Sequence, residues 1–360
     1  MARIFYGVQG DAGGHISRSL AVAEMLSGHE FLFAGAGAAA RAREAGYAFE
    51  PLPWAGTHVR DNAIQVGATL RDFGIALATQ GKWVRRLGEI ITAFDPHLIL
   101  TDYEFFTSRA ARRLGRPCLS LDHQHVMTRT VHPTPPGQWF NRRATRVAMS
   151  LLLPGVDGAL ISSFHQPPLI DPERDTMFGT LPRPDVIALR PCDGEHVLAY
   201  LPDCDTRKVT ALFGSRRREY RIYAQGKRRE QGNLIFREPG RGRFLEDLAS
   251  AAYVVSCGGH GLLTEAFHLG KPCLCFPRRG IYEPLWNSYF VQQSGYGRYY
   301  TSFDIPAGAI DDFEASLDGY KARIAARNFD GRAELKAHLE MLLQQAGGNP
   351  APLETAAGAF

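Results

Sequence analysis

The most informative stretch of the chain covers residues 253–277 and reads YVVSCGGHGLLTEAFHLGKPCLCFP. It begins with an unbroken apolar run, passes through a glycine loop into a short helical pattern, and ends in a second apolar run. Two buried strands joined by a glycine turn and a helix are typical of a parallel sheet that is covered on both faces. This stretch therefore predicts an α/β fold.

The same order of elements opens the chain. Residues 3–8 predict a strand, residues 16–26 a helix and residues 30–34 a second strand, with the loop GDAGGH before the helix. Two further strand predictions follow at residues 97–101 and 117–121. Strands that alternate with helices favour a Rossmann-like domain with its ligand at the carboxyl edge of the sheet.

The length of the chain fits two such domains. The 360 residues compare with a prior of about 150 residues per domain. Prolines are dense between residues 167 and 191, which is typical of a linker, and the strand and helix pattern restarts after them. We predict an N-terminal domain over 1–170, a linker over 171–193, a C-terminal domain over 194–328, a terminal helix over 329–346 and a flexible tail over 347–360.

Composition excludes several classes of protein. Hydrophobic residues make up 45% and charged residues 22%, as in ordinary globular chains, and the net charge of +4 is too small to indicate nucleic-acid binding. No apolar run approaches the ~20 residues that span a bilayer, and the first residues do not read as a signal peptide. The six cysteines contain no CxxC pair, so neither a zinc ribbon nor a disulfide framework is indicated. These features predict a cytoplasmic protein.

The first glycine loop lies between a strand and a helix. Gly13 and Gly14 let the backbone approach a ligand, and the amides of a helix N-terminus favour an anion. His15 adds a titratable side chain in the first helical turn. The alternatives are a turn that only packs the helix against the sheet and a histidine that only caps the helix.

The second glycine loop is followed by a carboxylate. Gly258, Gly259 and Gly261 can direct backbone amides at a diphosphate, assisted by the helix dipole. Glu265 lies about one turn into the helix, where its carboxylate can accept two hydrogen bonds from a ribose diol. The alternative is a solvated glutamate on the helix surface.

These two motifs resemble those of a known family. GDAGGHISRSLAVAEML is similar to the amino-terminal motif of GT-B glycosyltransferases related to the UDP-N-acetylglucosamine transferase of peptidoglycan synthesis. SCGGHGLLTEAFHLGKPCLCFP, followed by EPLWN at residues 283–287, resembles the donor-binding motif that this group shares with UDP-glucuronosyl and antibiotic transferases. The resemblance implies a GT-B fold, in which two Rossmann-like domains with parallel sheets face each other across a cleft.

The resemblance also assigns roles to individual residues. It implies that a nucleotide sugar, with a UDP-sugar as the first candidate, binds in the C-terminal domain. It implies that Gly258, Gly259, His260 and Gly261 surround the diphosphate and that Glu265 binds the ribose. Glu283 and Asn287 are implied to bind the sugar, and Phe244 and Leu245 the nucleobase. Acceptor binding is implied for Gly13, Gly14, His123 and His125.

Two positions depart from the pattern of the family. Many relatives have an acidic residue followed by glutamine, whereas this chain has Glu283 followed by Pro284, which lacks both a side-chain amide and a backbone donor. Plant transferases have a phosphate-binding histidine where this chain has Cys257. Both departures concern the recognition of the donor.

Catalysis in this family is a direct displacement at the anomeric carbon, assisted by a base. We expect His15 to be the base and Asp102, at the end of the strand LILTD, to orient it. His123 and His125 in LDHQH also follow a strand and compete for the role of base.

Neither a metal nor another cofactor is expected. Asp203 and Asp205 form a DxD pair, but two carboxylates without substrate phosphates hold Mg²⁺ poorly. Asp205 precedes a predicted helix and is more simply an N-cap.

Two basic stretches stand out. Residues 207–243 contain 12 Lys or Arg and 3 Asp or Glu, a pattern of a solvated face or of attraction for an anionic donor, acceptor or membrane. Residues 141–153 combine arginines with apolar residues and could form an amphipathic face that contacts lipid, although a buried helix gives the same pattern.

The predicted function is therefore an inverting, metal-independent transfer of a sugar from a nucleoside diphosphate to an acceptor hydroxyl. The acceptor could be a small molecule, a glycan or a lipid-linked molecule. The loops expected to bind it, at residues 53–80 and 123–146, contain no motif that identifies it. The alternatives are a nucleotide-sugar 2-epimerase, a non-catalytic protein that binds nucleotide sugars, and a nucleic-acid binder, for which no known motif is present.

Overall fold

A computed structural model describes residues 1–11, 13–54, 56, 58–60, 63–202, 204–224, 231–238 and 241–348. The elements of the N-terminal half are β1 Arg3–Val8, α1 Gly13–Met25, β2 Glu30–Gly35, α2 Arg41–Glu44, β3 Ala48–Pro51, β4 Val59–Arg60, β5 Ala63–Ile64, α3 Val66–Phe94, β6 Leu98–Asp102, α4 Thr107–Arg113, β7 Leu119–Asp122, α5 Trp139–Leu152, β8 Gly158–Ser162 and β9 Thr176–Phe178.

The elements of the C-terminal half are α6 Pro184–Ile187, β10 Val197–Tyr200, α7 Thr206–Phe213, β11 Tyr220–Tyr223, β12 Leu234–Arg237, α8 Arg241–Ala249, β13 Tyr253–Ser256, α9 His260–His268, β14 Cys273–Cys275, α10 Tyr282–Gln293, β15 Gly297–Tyr299, α11 Ala309–Ala315, α12 Leu317–Ala325 and α13 Arg332–Gly348. Among the helices of the described ranges, none has both the length and the hydropathy of a bilayer-crossing segment.

Two parallel sheets organise these elements, as predicted. The first has the strand order β3-β2-β1-β6-β7-β8-β9, and the second has the order β12-β11-β10-β13-β14-β15. The central strands of both sheets are almost wholly buried because helices cover both faces, which explains their continuous apolar runs. The predicted GT-B arrangement of two Rossmann-like sheets is confirmed.

The register of the first sheet positions the cleft residues. Val8 of β1 lies opposite Asp102 of β6, so the loop after β1 and the end of β6 meet at one edge. Because all neighbouring strands in this sheet are parallel, the loop after β7 opens at the same edge.

The predicted linker begins too early. Strand β9, at Thr176–Phe178, pairs with β8 and completes the first sheet, so the N-terminal unit extends beyond residue 170. Helix α13 also returns to this unit. Its Leu335, Leu339 and Leu342 pack in one core with Ile4 and Tyr6 of β1, so the two ends of the chain stabilise the same domain.

Candidate active site

His15 and Asp102 meet at the carboxyl edge of the first sheet. Helix α1 begins at Gly13, which places His15 in its first turn, and Asp102 is the last residue of β6. Nδ1 of His15 lies 2.8 Å from Oδ1 of Asp102, and the carboxylate is fully buried. Because Nδ1 faces the carboxylate, Nε2 is the ring nitrogen left for a substrate. The side chain of His15 is 14% exposed, which leaves it accessible from the cleft.

Arg18 holds the same carboxylate. Its Nε donates to Oδ2 of Asp102 at 3.0 Å and its Nη2 donates to Oδ1 at 2.7 Å, both in buried surroundings. Arg18 was not among the predicted site residues. Its spacing of three residues from His15 on one helix was the available signal, since such residues share a face.

The electrostatics of this group favour the protonated form of His15. Burial alone would lower the pKa of His15, but the adjacent Asp102 carboxylate more than offsets this, and the net result is a raised pKa. Arg18 opposes the rise, while Glu283 adds to it. A raised pKa means that the unprotonated imidazole is a stronger base, which favours removal of a proton from a hydroxyl group.

A second histidine and aspartate pair lies deeper. His125 Nδ1 is 2.6 Å from Oδ2 of Asp122 at the end of β7, and the backbone N–H of His125 donates to Oδ1 of the same carboxylate at 2.9 Å. Ser120 also donates to Asp122. Burial alone would raise the pKa of Asp122. His125 and these hydrogen bonds lower that pKa by more than burial raises it, so the net shift is strongly downward. Both side chains of the pair are buried, so it is less accessible than His15.

The first turns of α1 and α9 face each other. A Cβ atom added to Gly261 would lie 3.8 Å from the Cα of Gly14, so the two glycine loops approach each other across the cleft. Gly258 has a left-handed backbone with φ +79°, and a Cβ there would lie 2.4 Å from the carbonyl oxygen of Pro284. Only glycine fits this position. Two helix N-termini this close together present backbone N–H groups and helix dipoles that favour an anion.

Glu265 forms an ion pair that the sequence analysis missed. Nε of Arg183 donates to Oε1 of Glu265 at 2.8 Å, and both side chains are largely buried. Arg183 lies just before α6, 82 residues away in the chain, and also approaches Asp185 at 3.4 Å. Glu265 is therefore a positioned carboxylate and not a solvated glutamate.

His260 and Asn287 contact the opposite domain. The ring of His260 stacks on that of His123 with centroids 3.6 Å apart, and its other neighbour is Phe164 at 6.1 Å. Asn287 Oδ1 lies 2.7 Å from Nε2 of His123, and its Nδ2 donates to the carbonyl oxygen of Gly258 at 3.0 Å. These two side chains join the domains and brace the glycine loop, so they are less available to a donor than the resemblance implied.

The predicted nucleobase residues differ in accessibility. Phe244 is partly buried beside Tyr200 and Tyr223, with ring centroids 5.9 and 4.9 Å away. These tyrosines end β10 and β11, so the three rings form an aromatic cluster at the carboxyl edge of the second sheet. Leu245 points into the core and is buried there. Phe244 remains a candidate for stacking on the nucleobase. The side chain of Leu245 is not a candidate, because it lies in the core.

The carboxylates of the DxD pair do not form a described site. Asp205 caps α7 by accepting a hydrogen bond from the backbone N–H of Arg207 at 2.9 Å, which confirms the N-cap prediction. Asp203 lies outside the described residues. Over the ranges that the structure describes, no group of three or more His, Cys, Asp or Glu side chains is arranged to hold a metal ion.

The basic stretch at residues 207–243 is partly neutralised by acidic side chains where it is described. Arg216 pairs with Asp311, and both Arg221 and Arg237 contact Asp247. The run at residues 227–229 lies outside the described residues. The described arginines fit a structural role.

The fold and the cleft define the class of the protein. Two parallel α/β sheets of this kind are the fold of GT-B glycosyltransferases. The chain belongs to glycosyl transferase family 1, whose model matches residues 2–318.

Comparisons with individual proteins agree with this assignment. An uncharacterized glycosyltransferase of Methanosarcina mazei is 31% identical over 113 residues, which are 29% of this chain and 30% of that relative. The solved glycotransferase of kitacinnamycin has a TM-score of 0.68 at 17% identity and covers 95% of this chain and 99% of its own. Arabidopsis thaliana UGT89C1, solved with UDP-L-rhamnose, has a TM-score of 0.64 at 13% identity and covers 96% and 99%. At such identities the structural likeness concerns the fold.

Proposed function

We propose that this protein is an inverting, metal-independent glycosyltransferase that moves a sugar from a UDP-sugar to an acceptor hydroxyl. The single observation that carries the proposal is the His15–Asp102 pair, which lies beside two facing helix N-termini. The base and the anion site are thus close enough to act on one substrate. The Arabidopsis neighbour solved with UDP-L-rhamnose supports a nucleotide sugar as the donor, with UDP as the first candidate, and the neighbours VinC and SsfS6, solved with thymidine diphosphate, make dTDP the second.

In the proposed reaction, Nε2 of His15 takes the proton of the acceptor hydroxyl as its oxygen attacks the anomeric carbon. The new C–O bond forms as the bond from that carbon to the diphosphate oxygen breaks, and the leaving nucleoside diphosphate keeps the electron pair. A single displacement from the opposite face inverts the anomeric configuration. Asp102 stabilises the imidazolium that results.

The leaving group requires stabilisation of its negative charge. We assign this to the amides of the first turn of α9, starting at His260, and to the dipole of that helix. Glu265 is proposed to accept hydrogen bonds from the ribose hydroxyls. No metal ion has a role in this scheme.

Helix α5 is proposed to contact a membrane at which a lipid-linked acceptor would lie. Phe140, Val147 and Leu151 are 66%, 58% and 65% exposed, and their spacing places them on one face of the helix. The exposed Arg143 flanks this stripe, and α5 contains three arginines and no acidic residue. An apolar stripe bordered by arginines fits an anionic lipid surface.

The experiment that tests the proposed reaction is a product analysis. The protein is incubated with UDP-N-acetylglucosamine and UDP-glucose in EDTA, with and without a panel of acceptor alcohols. We expect a glycoside of inverted anomeric configuration, detected by NMR, only when an acceptor is present. Conversion of UDP-N-acetylglucosamine without any acceptor would indicate a 2-epimerase, and nucleotide binding without any product would indicate a binding protein.

A further inference from the structure

Glu283 lies in the first turn of α10, where the family resemblance implies contact with the donor sugar. It is followed by Pro284, whose side chain can neither donate nor accept a hydrogen bond. The next residue in the chain therefore adds no polar group beside this carboxylate.

A glutamine from the opposite domain occupies the space beside Glu283. Nε2 of Gln124 donates to Oε2 of Glu283 at 2.9 Å, although the two residues are 159 positions apart. Gln124 belongs to the short turn after β7, and its side chain crosses from the first domain to α10 of the second. The two domains thus build one amide–carboxylate pair.

The carbonyl oxygen of the Gln124 amide has no hydrogen-bond partner among the described residues. Gln124 is 7% exposed, and its buried Oε1 has no hydrogen-bond partner within the part of the chain that the structure describes. The orientation of the amide is fixed because Nε2 must face the carboxylate, while Oε1 there would be repelled. A buried acceptor without a partner is costly, so such a group commonly marks a site that a ligand completes.

The pair also lies beside the glycine loop that precedes α9. His123, the neighbour of Gln124 in the chain, stacks on His260, and Asn287, one helical turn after Glu283, donates to the carbonyl oxygen of Gly258. Glu283 itself is only partly buried, so a ligand in the cleft can reach it. A hydroxylated ring held at this loop can therefore reach the pair.

We propose that Gln124 supplies an amide from the opposite domain and, together with Glu283, binds the hydroxyl groups of the donor sugar. Its Oε1 accepts a hydrogen bond from one sugar hydroxyl, and Glu283 accepts one from a neighbouring hydroxyl. This assignment rests on the proposed function, since it needs a nucleotide sugar in the cleft. It makes Gln124 a residue that determines sugar specificity and contributes little to binding of the nucleotide.

The test compares the binding of nucleotides with that of nucleotide sugars. Dissociation constants for UDP, dTDP, UDP-glucose, UDP-N-acetylglucosamine and dTDP-glucose are measured by calorimetry on the full chain. The variants are Gln124→Ala and Gln124→Leu, the latter of which keeps the packing volume. Gln166→Ala, which removes an exposed glutamine of the same domain, is the matched control.

We expect both Gln124 variants to weaken binding of the nucleotide sugar by about tenfold while binding of the free nucleotide stays within about twofold. An equal loss for nucleotide and nucleotide sugar would show that Gln124 only joins the domains, and no loss for either would show that it touches no sugar. Both results would overturn the assignment. Failure of the unsubstituted protein to bind any of the five ligands would instead overturn the proposed function, and the assignment with it.

Discussion

The guanidinium of Arg18 makes two hydrogen bonds to the carboxylate of Asp102, at 3.0 and 2.7 Å, while the same carboxylate orients His15. Asp102 therefore divides its negative charge between a permanent cation and a titratable one. Three charged groups act on the proposed base, because Asp102 and Glu283 favour protonation of His15 and Arg18 opposes it.

Replacing Arg18 should shift the pH dependence of transfer. Because the positive charge of Arg18 lowers the pKa of His15, Arg18→Met should raise that pKa. The base must be unprotonated to act, so the acid limb of kcat/KM should move to higher pH by about one unit. The other groups that face His15 are Asp102, Glu283, His260 and Tyr103, and they are unchanged in this variant.

The control for this prediction is Arg18→Lys, which keeps a positive charge and should leave the acid limb near its original position. Loss of a buried ion-pair partner also destabilises a protein by about 3–5 kcal/mol, so thermal unfolding of each variant is measured first. An acid limb that does not move in a folded Arg18→Met protein would show that Arg18 is purely structural.

Glu265 should recognise the ribose. If its carboxylate accepts from the 2′-hydroxyl, the unsubstituted protein should bind UDP about tenfold more tightly than 2′-deoxy-UDP. Glu265→Ala should bind the two nucleotides equally, because the group that distinguishes them is gone. The comparison is made by calorimetry with Glu246→Ala, an exposed glutamate of α8, as the control. A Glu265→Ala protein that still distinguishes the two nucleotides would exclude this role.

The stripe on α5 should bind anionic lipid. We expect the protein to float with vesicles that contain phosphatidylglycerol and to remain free of vesicles made only of phosphatidylcholine. Phe140→Ser combined with Leu151→Ser should reduce the bound fraction at least several-fold, and 0.5 M salt should reduce it as well. A protein that ignores both kinds of vesicle but dimerises through this face would assign the stripe to a second copy of the chain.

The fold could be predicted well from local sequence because strands that are buried on both faces read as continuous apolar runs. Strand β1 at Arg3–Val8 has the predicted bounds. The pairing of Asp102 with His15 was expected from the family resemblance, and the two side chains lie within hydrogen-bond distance.

The residues that were missed act over long separations in the chain. Arg183 reaches Glu265 and Gln124 reaches Glu283 across the domain boundary, and no local pattern in either segment predicts a partner. The return of α13 to the first core is of the same kind, because Leu339 packs in one core with Ile4 although the two are more than three hundred residues apart in the chain. His260 was expected at the diphosphate from its place in the motif, but its ring is taken up by His123.

The central claim is that His15 is the base of a sugar transfer. Its most direct test measures transfer and UDP binding side by side for His15→Ala and for His125→Ala, which removes the competing histidine. We predict that His15→Ala lowers kcat by about 10²–10⁴-fold with UDP binding unchanged, and that a folded His125→Ala protein retains most of its transfer. Full turnover in His15→Ala, or a loss confined to His125→Ala, would contradict the account.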